Sequence, residues 1–478
     1  MEPGGRVSAA TRSVVVVGAG VAGLAAAVAL AGDGATVTLI ERRPFVGGRA
    51  YSYLHPALGE TIDSQHVVLG CCTNFIELIS QAGAAESIRW YDDLCFLEPA
   101  AAGYPRRSWI RPGILPAPAH QAMSFLRASM LTLRDKVGIA TGLAHFLRGY
   151  PGDDVESFAT WLKRTGQTER AIRHFWEPVV AGALNDVFER CSVKYAGKVF
   201  YESFLRSPQG GRLGIPAVPL SDFFQPVAQH ARSLGADVRL NSGVDAIART
   251  PSGRWRIRSG ADWIEADAVV LATDFRQTQR LIDALEGPGT TADAGRHFVF
   301  DRFVAAPITT IHLWYDREVT DLDHAVLLDA RIQWMFAKSR IRRWEAGKGS
   351  YLELVISVSW PEIAMRREQI LASALREAEM FFPRVREAAL IKSAVLKEAR
   401  ATFSVSPGLD ASRPPQTTDY PGLYLAGDWT ATEWPSTMEG AVRSGRLAAG
   451  EVAGNRQRFL APETPPSGLM RWLTQKSI

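Results

Sequence analysis

The chain has 478 residues, of which 46% are hydrophobic and 22% charged, with a net charge of +4. That length supports two to four domains with cores of their own, and so small a charge excludes nucleic acid as an expected partner. The four cysteines, Cys71, Cys72, Cys95 and Cys191, lack zinc-site spacing and read as free thiols, so no metal is expected.

In chain order, Arg6 and Arg12 precede a long apolar stretch, Ser13 to Gly32, that has the look of a signal peptide or anchor. Three glycines interrupt it, and a β-branched block gives way to an alanine-rich one, so a nucleotide-binding fold is expected instead. Val14–Val17 reads as a buried parallel strand. Gly18-Ala19-Gly20-Val21-Ala22-Gly23 follows, then the helix former Leu24–Leu30, then the strand Thr36–Ile40. Glu41 stands eighteen residues past Gly23, which completes a dinucleotide fingerprint. Gly18 allows the tight turn, Gly20 lets backbone approach a pyrophosphate, and Gly23 lets the helix pack on the sheet. The helix N-terminus offers free N–H groups to phosphate. Glu41 can accept from both ribose hydroxyls and would repel a 2′-phosphate. Gly47-Gly48-Arg49 suits a second loop over the pyrophosphate, with Arg49 supplying charge-assisted bonds.

Residues 73–214 read as mostly helical, with a proline-rich loop around Pro112, Pro116 and Pro118. Within 114–150, Met123, Phe125, Leu126, Met130, Leu131, Leu133, Val137 and Ile139 alternate with Arg127, Arg134 and Lys136. That pattern fits a membrane-surface helix or a helix packed on its own domain. Glu177 lies between Trp176 and Pro178, where burial would raise its pKa and suit a general acid; a salt bridge at a helix end is the other reading. Phe175 and Trp176 are terpene-pocket or core residues. Arg340, Arg342 and Arg343 read as a solvated face. A helix from Phe224, a strand at 237–240, a meander at 246–259 and the strand 268–273 follow. Residues 303–360 alternate as strands, and 363–381 read as a helix. The strand Gly422–Ala426 ends in Gly427-Asp428, a carboxylate for a ribityl or ribose hydroxyl, and Ser436-Thr437-Met438 opens a long helix. The fold class is therefore α/β, a Rossmann-like domain interrupted by an α+β domain with a helical insertion. The expected boundaries are 13–72, 215–290 and 395–455 for the nucleotide domain, 73–214 and 291–394 for the substrate domain, and 456–478 for a tail.

Val14–Gly23, Glu41, Gly47-Gly48-Arg49, Ala268–Thr273 and Leu425–Asp428 together resemble the FAD-dependent amine oxidase and phytoene desaturase superfamily, across the whole chain. The resemblance implies FAD rather than NAD. It also implies flavin contacts at Arg42, Gln65, His66, Val67, Val244, Ala272, Thr437, Met438 and Ala441, beside Gly18, Gly20, Val21, Ala22, Gly23, Glu41, Gly48, Arg49, Gly427 and Asp428. Asp63–Asn74, Leu115–Pro118, Phe175–Pro178, Ala183–Asn185, Ala426–Thr430 and Glu439–Gly445 are similar to the bacterial hydroxysqualene dehydroxylases. Relatives carry an extra small residue between the equivalents of Asp63 and Gln65. The similarity implies reductive removal of the hydroxyl of hydroxysqualene to give squalene. The catalytic candidates are then Glu177 and His66, and Asn185 and Trp334 join Phe175 and Trp176 as substrate residues. It implies a cytoplasmic protein resting on the inner face of the membrane, with an electron donor that the residues do not identify. A carotenoid-type desaturase and a flavin-free prenyl-lipid carrier are the alternatives. An amine oxidase is disfavoured, because Ser436-Thr437 stand where a cage tyrosine would precede Met438.

Overall fold

The computed structural model describes residues 12–100, 103–288, 300–345 and 347–474. Arg6, the domain boundary expected at 290–291 and the last four residues of the tail lie outside them. Val14–Val17 forms the middle strand of a five-stranded parallel sheet and is buried on both faces, as four consecutive β-branched residues require. The strand order across this sheet is 237–239, 36–40, 13–17, 268–271 and 423–425. Three distant stretches of chain thus meet in one sheet. Thr36–Ile40 returns beside Ser13–Val17 through the helix Val21–Gly32, the crossover that a parallel pair needs.

Gly23 is the hinge of that crossover. A Cβ there would lie 1.8 Å from the Gly18 carbonyl oxygen, so only glycine lets helix and turn close together. The C-terminal helix Met438–Val452 lies on Val21–Gly32 for the same reason. A Cβ at Gly445 would meet the Ala22 carbonyl at 2.1 Å. Ends of the chain four hundred residues apart are therefore packed as one layer.

A second sheet of seven strands runs in the order 390–403, 305–315, 350–357, 334–337, 324–327, 94–98 and 106–110. The β alternation read over 303–360 corresponds to four of these strands. The reading of 73–214 as mostly helical holds from Ala122 to Leu205 and misses three strands before that stretch. Ile88–Tyr91, Leu94–Glu98 and Arg106–Ile110 are strands, with Cys95, Phe96 and Leu97 filling a two-faced core. Helices occupy Ala122 to Leu205, broken by π-helical turns at Ile172–Trp176 and Tyr201–Leu205. A boundary at 394–395 would cut the continuous strand Leu390–Phe403. The helix Thr73–Gln81, expected beyond the nucleotide domain, packs in its core through Phe75 against Phe223 and Phe224.

Candidate functional site

One cavity of about 910 Å³ opens at the carboxyl ends of the parallel strands and continues between the two sheets. Of the residues expected at a flavin, Gly18, Gly20, Val21, Ala22, Glu41, Arg42, Gly48, Arg49, Gln65, His66, Val67, Val244, Ala272, Gly427, Asp428, Thr437, Met438 and Ala441 all line it. Gly23 does not; its part is the close packing described above.

The cradle is built from backbone. Gly18 adopts φ +101°, and a Cβ there would press on the Ala272 carbonyl at 2.8 Å. Gly20 and Gly48 face each other, and a Cβ on Gly48 would stand 2.9 Å from the Gly20 Cα. This trough between two glycine backbones has room for a pyrophosphate but not for side chains. No side chain caps the helix Val21–Gly32, so its first-turn N–H groups remain free for an anion. Glu41 Oε2 accepts from the Ala19 N–H and Oε1 from the Arg43 N–H, both at 2.9 Å. The carboxylate is thereby aimed along the cavity with acceptor capacity left for hydroxyls. Glycine trough, bare helix end and anchored acid together fit a dinucleotide.

Arg49 takes a different partner from the one expected. Its guanidinium pairs with Asp428 at 2.5 Å and donates to the Ala401 carbonyl. Burial opposes ionisation of Asp428, but Arg49 and the Ser436 hydroxyl hold its carboxyl below the usual range. Thr437 caps the helix Met438–Val452 by accepting from the Gly440 N–H, and Glu439 is buried behind it. Glu439 accepts from Asn74 and Phe75 N–H groups and so ties this helix to the start of Thr73–Gln81.

His66 lines the cavity with its Nδ1 2.9 Å from the Ser64 carbonyl oxygen. A carbonyl only accepts, so Nδ1 carries the proton. Burial lowers the pKa of the ring, leaving a neutral imidazole whose Nε2 is a hydrogen-bond acceptor. In that neutral form His66 can act as a base or an orienting group.

Behind His66 sits a charge cluster that sequence reading missed. Lys338 Nζ lies 2.8 Å from Asp63, 3.0 Å from Glu353 and 2.7 Å from the Gln65 side-chain oxygen. The Gln65 N–H donates to Glu353 at 2.6 Å. Burial dominates at both carboxyls and raises Glu353; Lys338 and Arg342 together hold Asp63 below the ordinary range. Arg342 is thus not part of a solvated face. Lys338 follows an apolar strand directly, a weak signal, and its two acids lie on other segments.

The substrate residues divide. Trp334 and Asn185 line the cavity. Asn185 is fully engaged: its amide donates to Ala306 and Thr402, and its oxygen accepts from the Val358 N–H. Phe175 and Trp176 are corrected to core. They pack against Phe200, and Trp176 donates to Gln167. Glu177 is exposed and does not line the cavity, so it has no access to the flavin or to a substrate beside it. Lys198, Glu202 and Trp434 do line the cavity and were not foreseen. The two charges lie four residues apart in an aromatic helix, and that pattern is visible in the sequence. Among the described residues no cluster of His, Cys, Asp or Glu could hold a metal.

The family model described as flavin containing amine oxidoreductase matches residues 21–453. The chain is 26% identical to a 15-cis-phytoene desaturase of Arabidopsis thaliana over 94% of this chain and 81% of that one. It is 29% identical to a probable zeta-carotene desaturase of Synechococcus elongatus over 91% of this chain and 97% of that one. In three dimensions it is similar to a putative protoporphyrinogen oxidase from Exiguobacterium, with TM-score 0.65, 16% identity and coverage of 93% and 99%. Cyclohexylamine oxidase from Brevibacterium oxydans gives TM-score 0.62 and 18% identity over 93% of this chain and 99% of that one. With the glycine trough and the anchored Glu41, these similarities leave one conclusion: the chain belongs to the flavin-containing amine oxidoreductase family, and its cofactor is FAD.

Proposed function

We propose that this FAD-dependent oxidoreductase removes the hydroxyl of hydroxysqualene reductively, giving squalene and water, with the reduced cofactor supplying two electrons and two hydrogens in all. The observation that carries the reading is the continuity of the cavity. The glycine trough opens without a partition into a chamber walled by Val179, Ala183, Val199, Phe204, Trp334 and Phe336. Such walls suit a long prenyl chain and keep water from the reacting carbon. The relatives named above are desaturases of phytoene and zeta-carotene, which are also long isoprenoids. The sequence similarity to hydroxysqualene dehydroxylases narrows the class.

Bound FAD supplies the redox chemistry, a hydride exchanged with carbon. The chain does the rest. Glu41 and the trough position the cofactor, Gln65 and the Lys338 cluster hold the His66 loop beside it, and the apolar wall orients the substrate. The test is anaerobic incubation of the dithionite-reduced holoenzyme with hydroxysqualene. The product should have lost one oxygen atom by mass; unchanged substrate would overturn the proposal.

A second reading, desaturation, has its own support. His66 lines the cavity with Nδ1–H committed to the Ser64 carbonyl, so its neutral ring, which burial favours, keeps Nε2 able to accept a proton when carbon gives up hydride and proton together. Oxidised holoenzyme with phytoene and a quinone acceptor tests it. A product lighter by two hydrogens would decide for it.

We also propose that the protein rests on the inner face of the cytoplasmic membrane. Ile114, Leu115, Met123, Leu126, Leu133 and Val137 are exposed, and Arg127 and Arg134 stand exposed among them. Met130, Leu131 and Ile139 turn inward, so the segment is half core and half surface. Leu469 and Trp472 extend the patch, since the Leu469 N–H donates to the Ala117 carbonyl. No helix among the described residues is long and apolar enough to cross a bilayer.

A further inference from the structure

Among the apolar residues of the chamber stands a cation. Lys198 is only 4% exposed and lines the same cavity as the flavin residues. Its ammonium donates to the Tyr150 hydroxyl at 2.7 Å and lies 4.6 Å from the Trp434 ring and 4.9 Å from the Tyr150 ring. It forms no ion pair among the described residues. The nearest acids, Glu202 one turn on and Glu463, feel the charge of Lys198 without contacting it; both are held by Arg206, whose Nη1 reaches the Glu202 oxygens at 3.0 and 2.9 Å and Glu463 at 2.9 Å. The π-helical turn Tyr201–Leu205 begins between Lys198 and Glu202, and such widened turns recur at functional sites.

An ammonium has three donors, and one neutral hydroxyl satisfies one of them. Two aromatic faces stabilise the charge without accepting those hydrogens in the way an oxygen does. Glu202 and Glu463 offset part of the cost of burying the charge, but two of its N–H donors remain without a direct acceptor among the described residues until something enters the cavity. A hydrocarbon cannot do so; an oxygen can. We propose that Lys198 binds the oxygen of an oxygenated prenyl-chain substrate, with Trp434 and Tyr150 fixing the ammonium. Lys198 then sets substrate specificity: it favours an alcohol over the hydrocarbon of the same length. The proposal rests on the dehydroxylase reading for the identity of the alcohol.

The experiment uses oxidised holoenzyme, which cannot turn the alcohol over without reductant. Binding of hydroxysqualene and of squalene, each in detergent micelles, is followed by the change in flavin absorbance. The wild type should bind the alcohol about tenfold or more tightly than the hydrocarbon, the scale of a hydrogen bond to a charged group. Lys198→Met should bring the two within about twofold with squalene affinity unchanged, and Lys198→Arg should restore part of the preference. A wild type indifferent to the hydroxyl overturns the proposal, as does a preference that survives Lys198→Met. A Lys198→Met shift in flavin midpoint potential with the preference intact also overturns it and assigns the lysine to the flavin. If Lys198→Met does not fold, the methyl ether of the alcohol decides on wild type alone. An ether only accepts, so a donor at Lys198 retains it, and its rejection removes Lys198 as the donor. The two readings separate cleanly. Loss of preference in Lys198→Met with no squalene formed by reduced enzyme keeps the oxygen site and ends dehydroxylation. Squalene formation with an unaltered preference does the reverse.

Discussion

Arg49 Nη2 stands 2.5 Å from Asp428 Oδ1 and so joins the second glycine loop to the strand end contributed by the far end of the chain. The side chain of Asp428 is buried while that of Arg49 is 46% exposed, so solvent screens the pair from one side only. The sign of its pH dependence follows from the depressed pKa of Asp428. Its stabilisation is full above the unfolded carboxylate value, about 4, and is lost as pH falls through the lower folded value. Asp428→Asn should therefore melt below the wild type by a constant margin from pH 8 to about 5, and the margin should shrink below about pH 4. Differential scanning calorimetry of both holoproteins across pH checks this. A margin that grows on acidification would show that another group governs the site.

Glu41 braces the turn as well as the cofactor, because its two oxygens accept from Ala19 and Arg43 N–H groups. Glu41→Gln puts an amide NH₂ against one of those donors. It should weaken FAD binding as much as Glu41→Ala does, by about 1–3 kcal/mol, the scale for bonds to a charged acceptor. Titration of apoprotein with FAD, read by quenching of flavin fluorescence, measures both. A Gln variant with wild-type affinity would mean that charge at this position is dispensable.

The buried cluster behind His66 predicts a stability effect of another size. Lys338 and Asp63 are 2% and 1% exposed and Glu353 is fully buried. Lys338→Met strands an ionised Asp63 with Arg342 at 3.4 Å as its remaining cation. The cost should be about 3–5 kcal/mol in denaturant unfolding, the scale for breaking a buried pair. Adding Glu353→Gln should recover part of it, since one of the two acids then needs no cation. A loss below about 1 kcal/mol would place the cluster in contact with solvent.

Much of this was legible in the sequence, for reasons that differ by element. Val14–Glu41 is local: the strand, the turn, the helix and the acid interact within thirty residues, so spacing alone places Glu41 against Ala19. Gly427-Asp428 is legible as a strand-end carboxylate, but its pairing with Arg49 is not, because nothing local shows that residue 428 meets residue 49. Cys95 to Leu97 lies in a strand read as helical, since four or five apolar residues fit a buried strand and a helix equally well. Glu177 failed for a physical reason. Its aromatic neighbours in sequence are not its surroundings in space: Phe175 and Trp176 point into the core while Glu177 points out. Partial crowding of its carboxyl still raises its pKa, against the pull of Arg173 and Arg331. A shifted pKa without access to the cavity is not a catalytic position. The Lys338 cluster joins residues 63, 338 and 353, a contact between segments that no single-segment pattern encodes.

The outward position of Glu177 sets the outcome for Glu177→Gln. Turnover by the reduced holoenzyme should stay within about threefold of wild type, well short of the 10²–10⁴ loss of a removed general acid. The FAD content should be unchanged. Anaerobic single-turnover assays with hydroxysqualene measure both, and a loss above a hundredfold would return Glu177 to the mechanism.

Membrane docking through the patch around 114–137 should draw on burial more than on charge. Leu126 and Val137 are 56% and 57% exposed, and Arg127 and Arg134 add about 1 kcal/mol each near an anionic surface. Lys136 is a poor probe, because its Nζ donates to the Leu126 carbonyl at 2.7 Å and its removal would disturb the fold locally. Leu126→Ser with Val137→Ser should therefore weaken binding to phosphatidylglycerol vesicles about tenfold or more at any salt concentration. Arg127→Glu with Arg134→Glu should weaken it strongly at low salt and little at high salt, where screening has already removed the attraction. Flotation of the holoprotein with vesicles at two ionic strengths separates the terms. Both double variants floating like wild type would move the membrane face to another surface.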